Sequence, residues 1–358
     1  MNLLSGGEAA VHYGYSSARV KAMESRFMTR RAMSEIANAR DVSSMMAILF
    51  QGDYREDLER FGGLAIKQEL IDFALSRNLA RNTGKLVQIS PSSDKKTVRG
   101  VVGRWDLNNV KLALGAKDRG LGYESIASYV IDYGRYNAAA IKEAMREDSV
   151  ETMLNRFAIN SPYARILRGA ADALKKSGSV AEAMAEIDRS YYKDLGGMVL
   201  GLRAVHSESA LVLKMEIDVR NLLLLVKAKR AGMKFADVSG HIIGNGRMRP
   251  GELEQMYNGA GDVEGFVAQI KAYDMKPALD AYRNSRRKQL LLFEIGMRNA
   301  VFNESMRMLR HSILSFGTIL AYAYMKEIEI FTLRILIHSR AYGLTKEETE
   351  RLIVWKNE

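Results

Sequence analysis

Ile217-Asp218-Val219-Arg220-Asn221-Leu222, running on to Lys229-Arg230-Ala231-Gly232-Met233, decides how this chain is read. Two other stretches follow the same plan. One is Trp105-Asp106-Leu107-Asn108-Asn109-Val110, ending in Lys117-Asp118-Arg119-Gly120-Leu121. The other is Ile328-Glu329-Ile330-Phe331-Thr332-Leu333, ending in Arg340-Ala341-Tyr342-Gly343-Leu344. Counted from the acid, each copy has an amide or hydroxyl side chain at +3, a base at +11, a glycine at +14 and an apolar residue at +15. The acids stand 112 and 111 residues apart (106 to 218, 218 to 329), and three such intervals nearly exhaust the chain. A period this long signals three similar domains rather than a solenoid of short units, with expected boundaries 1–135, 136–247 and 248–358.

The pattern suits a helix. Positions +1, +4 and +8 are apolar in every copy: Leu107, Val110, Leu114; Val219, Leu222, Val226; Ile330, Leu333, Ile337. They form one stripe to bury. The glycines Gly120, Gly232 and Gly343 fit the left-handed residue that closes many helices, followed by an apolar contact. The acid sits on the N-terminal side and the base on the C-terminal side, as the helix dipole prefers. Eleven residues of helix separate them by roughly 16 Å, so each must find its partner on another segment.

Helical spacing covers most of the remaining chain, over 19–38, 43–50, 66–79, 149–157, 164–175, 180–195, 211–230, 261–273, 276–310 and 319–340. The run Leu222 to Val226 alone could be a buried strand, but Glu216–Arg220 and Lys227–Arg230 on its flanks favour helix. Leu86 to Arg104 is the one candidate for irregular or hairpin structure, with Val87-Gln88-Ile89 and Thr97-Val98 on either side of Ser90-Pro91-Ser92-Ser93-Asp94. Four prolines in 358 residues also favour long helices. The fold class expected is all-α.

Composition narrows the function. Cysteine is absent, which excludes disulfides and thiolate metal sites. An apolar fraction of 47% with 27% charged residues is that of a globular protein with a core. Met1 to Ala10 lacks the apolar core of a secretory signal. The uncharged stretch 312–325 is shorter than the roughly 20 residues that span a bilayer, so no transmembrane segment is expected. A formal charge of +11 calls for an anionic partner somewhere. Arg283, Arg286, Arg287, Lys288, Arg298, Arg307 and Arg310 face only Glu294 and Glu304 within one stretch. Arg283, Arg286, Arg287 and Lys288 are the candidate partner-binding residues, although an ordinary solvated helix face looks the same.

Nothing has the form of an active site. The three acids with Asn109, Asn221 and Thr332 would give a metal one carboxylate and one amide or hydroxyl per copy, a thin oxygen set. Gly240-His241-Ile242-Ile243-Gly244-Asn245-Gly246 looks superficially like a phosphate loop, but it follows a helix and lacks the Gly-Lys-Ser/Thr ending. The five histidines are scattered without metal-ligand spacing. No catalytic residue, cofactor or metal is expected.

Several landmarks, in the repeat and on its flanks, resemble the C subunits of archaeal ATP synthases, a family related to the d subunits of vacuolar ATPases. They are Tyr13-Gly14-Tyr15-Ser16-Ser17-Ala18-Arg19, Ala39-Arg40-Asp41-Val42, Gly52-Asp53-Tyr54, Phe316-Gly317 and Lys326-Glu327-Ile328-Glu329, with Glu216 to Leu222 the most specific. Gly52 and Thr332 depart from the threonine and asparagine usual there. The resemblance implies three V-shaped helical domains with pseudo-threefold symmetry, forming a funnel. It also implies a peripheral position on the cytoplasmic face of the membrane, between the rotor ring and the D and F subunits of the central shaft. There the protein would pass torque between proton or sodium flow and ATP chemistry. A basic helical adaptor for nucleic acid is the alternative, without a recognisable nucleic-acid motif to support it.

Overall fold

A computed structural model describes residues 6–60, 67–203, 207–285, 289–311, 314–339, 345–351 and 353. Among these the chain is helical, without a strand. It opens with α1 (Gly6–Glu24), α2 (Arg30–Asn38), α3 (Val42–Phe50) and α4 (Arg55–Glu59). Next come α5 (Gln68–Ile89), α6 (Lys95–Val102), α7 (Arg104–Asp118), α8 (Ala138–Ala144), α9 (Val150–Ala158) and α10 (Ala164–Ser177). Then follow α11 (Val180–Arg203), α12 (Ser207–Arg230), α13 (Phe235–Val238), α14 (Pro250–Gly259) and α15 (Val263–Ala268). The chain closes with α16 (Lys276–Asn284), α17 (Leu291–His311), α18 (Phe316–His338) and α19 (Lys346–Arg351).

The backbone divides into two compact units. One comprises Leu49–Asp194; the other joins Met1–Ile48 to Leu195–Glu358. The order of elements recurs through both: two short helices, a further helix, then two long stretches of helix. The first long helices, α5, α11 and α17, have 22, 24 and 21 residues. The second are α12 and α18, with 24 and 23 residues, and the α6–α7 pair that breaks at Gly103.

Local chemistry sets the boundaries. Thr29 accepts the Ala32 N–H, Asn137 the Ala140 N–H and Asp262 the Gly265 N–H, each capping a helix start. Ser149 and Thr152 form a reciprocal capping box at the head of α9. The stripe read from the sequence is buried: Leu107, Val110, Leu114, Val219, Leu222, Val226, Ile330, Leu333 and Ile337 are each at most 4% exposed. Each such side chain contributes about 1.5–3 kcal/mol through burial.

Three expectations need correction. Leu86 to Arg104 holds no hairpin: α5 continues to Ile89, a turn follows, and α6 begins at Lys95. Val98, Val101 and Val102 are buried at helical spacing, and period outweighs the β-branched composition. The stretch 19–38 is two helices, because Thr29 caps a new start and the chain turns at 25–28. The stretch 276–310 likewise divides into α16 and α17.

Candidate functional site

The polar residues of the repeat are fasteners. In the first copy the Asp106 carboxylate, on α7, accepts the backbone N–H of Tyr136 through Oδ1 (2.7 Å) and the Tyr163 hydroxyl through Oδ2 (3.2 Å). Asn109, one turn on, grips the same loop with both arms of its amide. It donates to the carbonyls of Ile131 (2.7 Å) and Tyr136 (2.8 Å) and accepts the Ile131 N–H (3.0 Å). In the second copy Asp218, on α12, accepts the Met248 N–H at 3.2 Å and the Tyr273 hydroxyl at 2.5 Å. Asn221 donates to the Ile243 carbonyl (2.8 Å) and accepts its N–H (2.9 Å). Both acids reach 30 residues ahead and both amides reach 22 to their isoleucines.

The loops are shaped to accept this grip. Gly134, at φ +83°, lies directly under Asp106, and a Cβ there would stand 2.5 Å from Oδ1. Gly246 lies under Asp218 in the same way, and a side chain would strike its Oδ1. The loop 240–246, which resembled a phosphate cradle, is gripped by Asn221 at Ile243 and passes under Asp218 at Gly246, just before the Met248 that Asp218 holds.

The third copy is fastened differently. Glu329, on α18, accepts the N–H of Met28 through Oε2 at 2.9 Å, 301 residues away. Its other oxygen takes a hydrogen bond from Lys326 Nζ at 2.7 Å. Lys326 and Glu329 are 2% and 0% exposed, a buried ion pair. Thr332 turns its hydroxyl onto the Ile328 carbonyl of its own helix (2.8 Å), so the two-armed amide grip is missing. One geometric rule nevertheless covers all three acids. Tyr136, Met248 and Met28 each stand two residues before a helix start, at Ala138, Pro250 and Arg30.

The bases also reach forward. Lys117 donates to the Met145 carbonyl (3.3 Å) at the end of α8. Lys229 donates to Tyr257 (2.7 Å) and Ala260 (2.9 Å) at the end of α14, with its ammonium 4.0 Å from the Tyr257 ring centre. They satisfy the free carbonyls that every helix end leaves. Gly120 and Gly232 take φ of +68° and +70°, and the residue after each donates back five residues, Leu121 to Ala116 and Met233 to Ala228. This is the Schellman closure. Gly343 and the base Arg340 lie outside the described residues. The helix-dipole reading of the acids holds only for Asp106, in the first turn of α7; Asp218 and Glu329 lie deep inside α12 and α18. The loop amide, not the dipole, positions them.

Burial gives the locks a distinct electrostatic character. It pushes the Asp218 carboxyl up to about 6, against hydrogen bonds from Tyr273 and the Met248 and Arg247 backbone that pull it down. Burial raises Asp106 likewise. Tyr163 and Tyr273 are driven upward by burial and by the carboxylates beside them, so both stay protonated donors.

The basic stretch is partly neutralised. Arg283 pairs with Glu264 at 2.9 Å and Arg307 with Glu304. Arg298 binds Glu294 at 2.8 Å, stands 3.7 Å from Glu327 and covers the Phe331 ring, tying α17 to α18. Arg310 is exposed, and Arg286, Arg287 and Lys288 lie outside the described residues. A groove of about 840 Å³ opens beside the second lock, walled by Tyr273 and Arg247, by Asn299, Asn303 and Arg307 of α17, and by Arg30 of α2. Among the described residues no cluster of three or more His, Asp or Glu could hold a metal, and no helix is long and apolar enough to cross a membrane. The fasteners had a visible signal in their spacing. The tyrosines, the loop glycines and Met28 had none that sequence reasoning used.

Fold and locks together define an all-helical repeat protein whose most regular polar centres bind its own backbone. The chain belongs to the ATP synthase (C/AC39) subunit family, which matches residues 16–352, and is a non-catalytic member of that complex. It is similar to the A-type ATP synthase C subunit of Thermoplasma acidophilum, 22% identical over 95% of this chain and 97% of that protein. The C subunit from Thermococcus gammatolerans is 27% identical over 95% and 89%, and that from Methanocaldococcus jannaschii 21% over 96% and 86%. The nucleic-acid alternative gains no support from these relatives.

Proposed function

We propose that this chain is the central-stalk spacer of a rotary A-type/V-type ATP synthase. It sits peripherally on the cytoplasmic face of the membrane, on the rotor ring, and receives the D and F subunits of the central shaft. Its work is to pass torque between proton or sodium flow and ATP synthesis, with no cofactor, nucleotide or metal of its own. The three copies form three V-shaped domains, divided near 135/136 and 247/248, arranged as a funnel with pseudo-threefold symmetry. Arg283, Arg286, Arg287 and Lys288 guide its docking on ring or shaft.

One observation supports this reading beyond family membership: each acid fastens a long helix to the backbone just ahead of another helix. A part that transmits load needs joints of this kind, where buried hydrogen bonds resist bending. The test is a complex assembled with and without this chain, in sealed vesicles. With it, ATP hydrolysis drives ion pumping; without it, the head still hydrolyses ATP but pumping is lost. Pumping that persists at the full rate in its absence overturns the proposal.

A further inference from the structure

Helix α1 is apolar on two sides, and its own compact unit covers one of them. Tyr13, Ser16, Ser17, Val20 and Met23 are buried, and α1 packs along α18. On the outer side Val11 is 89% and Tyr15 68% exposed, the two most exposed large apolar side chains among the described residues. Ala18 and Ala22 continue the same exposed line. A surface helix ordinarily turns polar residues outward. Here the steps of four, three and four residues from Val11 to Ala22 instead draw the straight seam along which two helices pack nearly parallel. The charge beside the seam has one sign. Arg19 on α1 and Arg26 in the turn after it are exposed on one flank, together with His12. On the other flank Lys21 donates to the Leu309 carbonyl at 2.7 Å, which brings the exposed Arg310 and His311 alongside α1. The only acid between Val11 and Arg26 is Glu24, which Lys21 holds at 2.8 Å.

We propose that the outer face of α1 receives an acidic α-helix from another subunit of the synthase. The seam from Val11 to Ala22 is roughly 16 Å long, so it takes about three turns of a partner. Ala18 and Ala22 let a second backbone come close, while Val11 and Tyr15 supply the projecting side chains. The partner helix therefore carries large apolar residues opposite the alanines, small ones opposite Val11 and Tyr15, and aspartate or glutamate opposite Arg19 and Arg26. A membrane surface would call for large apolar side chains where α1 has alanines. A second copy of this face would bring bases and no free acid, so it offers no complementary charge. The proposal rests on the chain's place in the synthase, and it adds a contact that Arg283, Arg286, Arg287 and Lys288 do not make.

The chain lacks cysteine, so Ala18→Cys places a single thiol in the middle of the seam. Its rate of modification by a maleimide is measured in the full chain alone and in the assembled, detergent-solubilised synthase, with circular dichroism as the check on folding. Assembly should slow the reaction about tenfold or more. Benzophenone-maleimide on the same thiol should cross-link to a helical segment of another subunit, with apolar residues at three- and four-residue steps and acids on its flank. Adding Arg19→Glu should bring the modification rate in the complex back toward that of the chain alone, by about fivefold or more at low salt. An undiminished rate in the assembled synthase overturns the proposal, as does cross-linking to lipid, to a second copy of this chain or to a segment without acids. Should Ala18→Cys disturb the fold, Tyr15→Cys reads the same face with the same expected and contrary results. Failure of the unmodified chain to enter any synthase overturns the central-stalk reading and this contact with it. A chain that assembles with its α1 face still reactive overturns the contact alone.

Discussion

Replacing Asp218 by asparagine should change how stability depends on pH, with a sign opposite to that of an ordinary salt-bridged aspartate. Burial raises this carboxyl to about 6 in the folded chain, from 3.8 unfolded. The folded state therefore holds its proton more tightly. The contribution favouring the fold is fully present below the unfolded value and is lost as pH rises through about 6. Between pH 4 and pH 7 the loss is about 2 kcal/mol, since each unit of difference is worth about 1.4 kcal/mol. Asparagine keeps an acceptor for the Met248 N–H but cannot ionise. The wild-type-minus-variant difference in local stability should thus fall by about 2 kcal/mol across that range. Hydrogen exchange in peptides from 215–257, corrected for the intrinsic pH dependence of the exchange rate, measures it directly. Asp106 titrates in the same direction in both proteins and cancels from the difference. A difference that stays flat, or grows in favour of wild type as pH rises, would refute the assignment of Asp218 as a desolvated carboxyl.

Asn221→Leu leaves the Ile243 N–H and carbonyl buried without their partner and should cost about 2–4 kcal/mol in denaturant unfolding. Gly246→Ala forces a methyl group against the Asp218 carboxylate and should destabilise the second lock by about 1–3 kcal/mol, lowering the melting temperature. Lys229→Met frees the Tyr257 and Ala260 carbonyls and should cost about 1 kcal/mol, seen as faster exchange at the end of α14. Changing Arg286, Arg287 and Lys288 together to glutamate should weaken pull-down of ring or shaft at low salt while circular dichroism stays helical; undiminished assembly would make the basic run a solvated face.

Sequence reading found the parts that obey a rule of spacing. Helical period located most of the helices, and the 112-residue recurrence singled out Asp106, Asn109, Asp218 and Asn221 before any partner was visible. It could not show what these residues hold, because their partners are backbone amides, which every residue possesses and none advertises. Met28 was invisible for that reason, and it lay inside a stretch whose composition suited one unbroken helix. The α-helical Val98–Val102 segment was obscured by β-branched residues, whose preference for strands is weaker than the pull of a buried face. Tyr163 and Tyr273 stand 57 and 55 residues from their acids, an unequal spacing that a fixed-period search passes over.

That the acids grip main-chain N–H groups bears on how freely this chain can diverge. A lock between two side chains requires both partners to change in step. Here the gripped positions are Tyr136, Met248 and Met28, an aromatic and two thioethers, and the bond is indifferent to which of them is present. The gripped main-chain position of every fastener thus tolerates substitution. What is restricted is the acid, its side-chain donor (Tyr163, Tyr273 or Lys326) and, in the first two copies, the glycine beneath the acid. Such joints constrain little of the sequence, in keeping with the 22% and 21% identity to the Thermoplasma and Methanocaldococcus proteins.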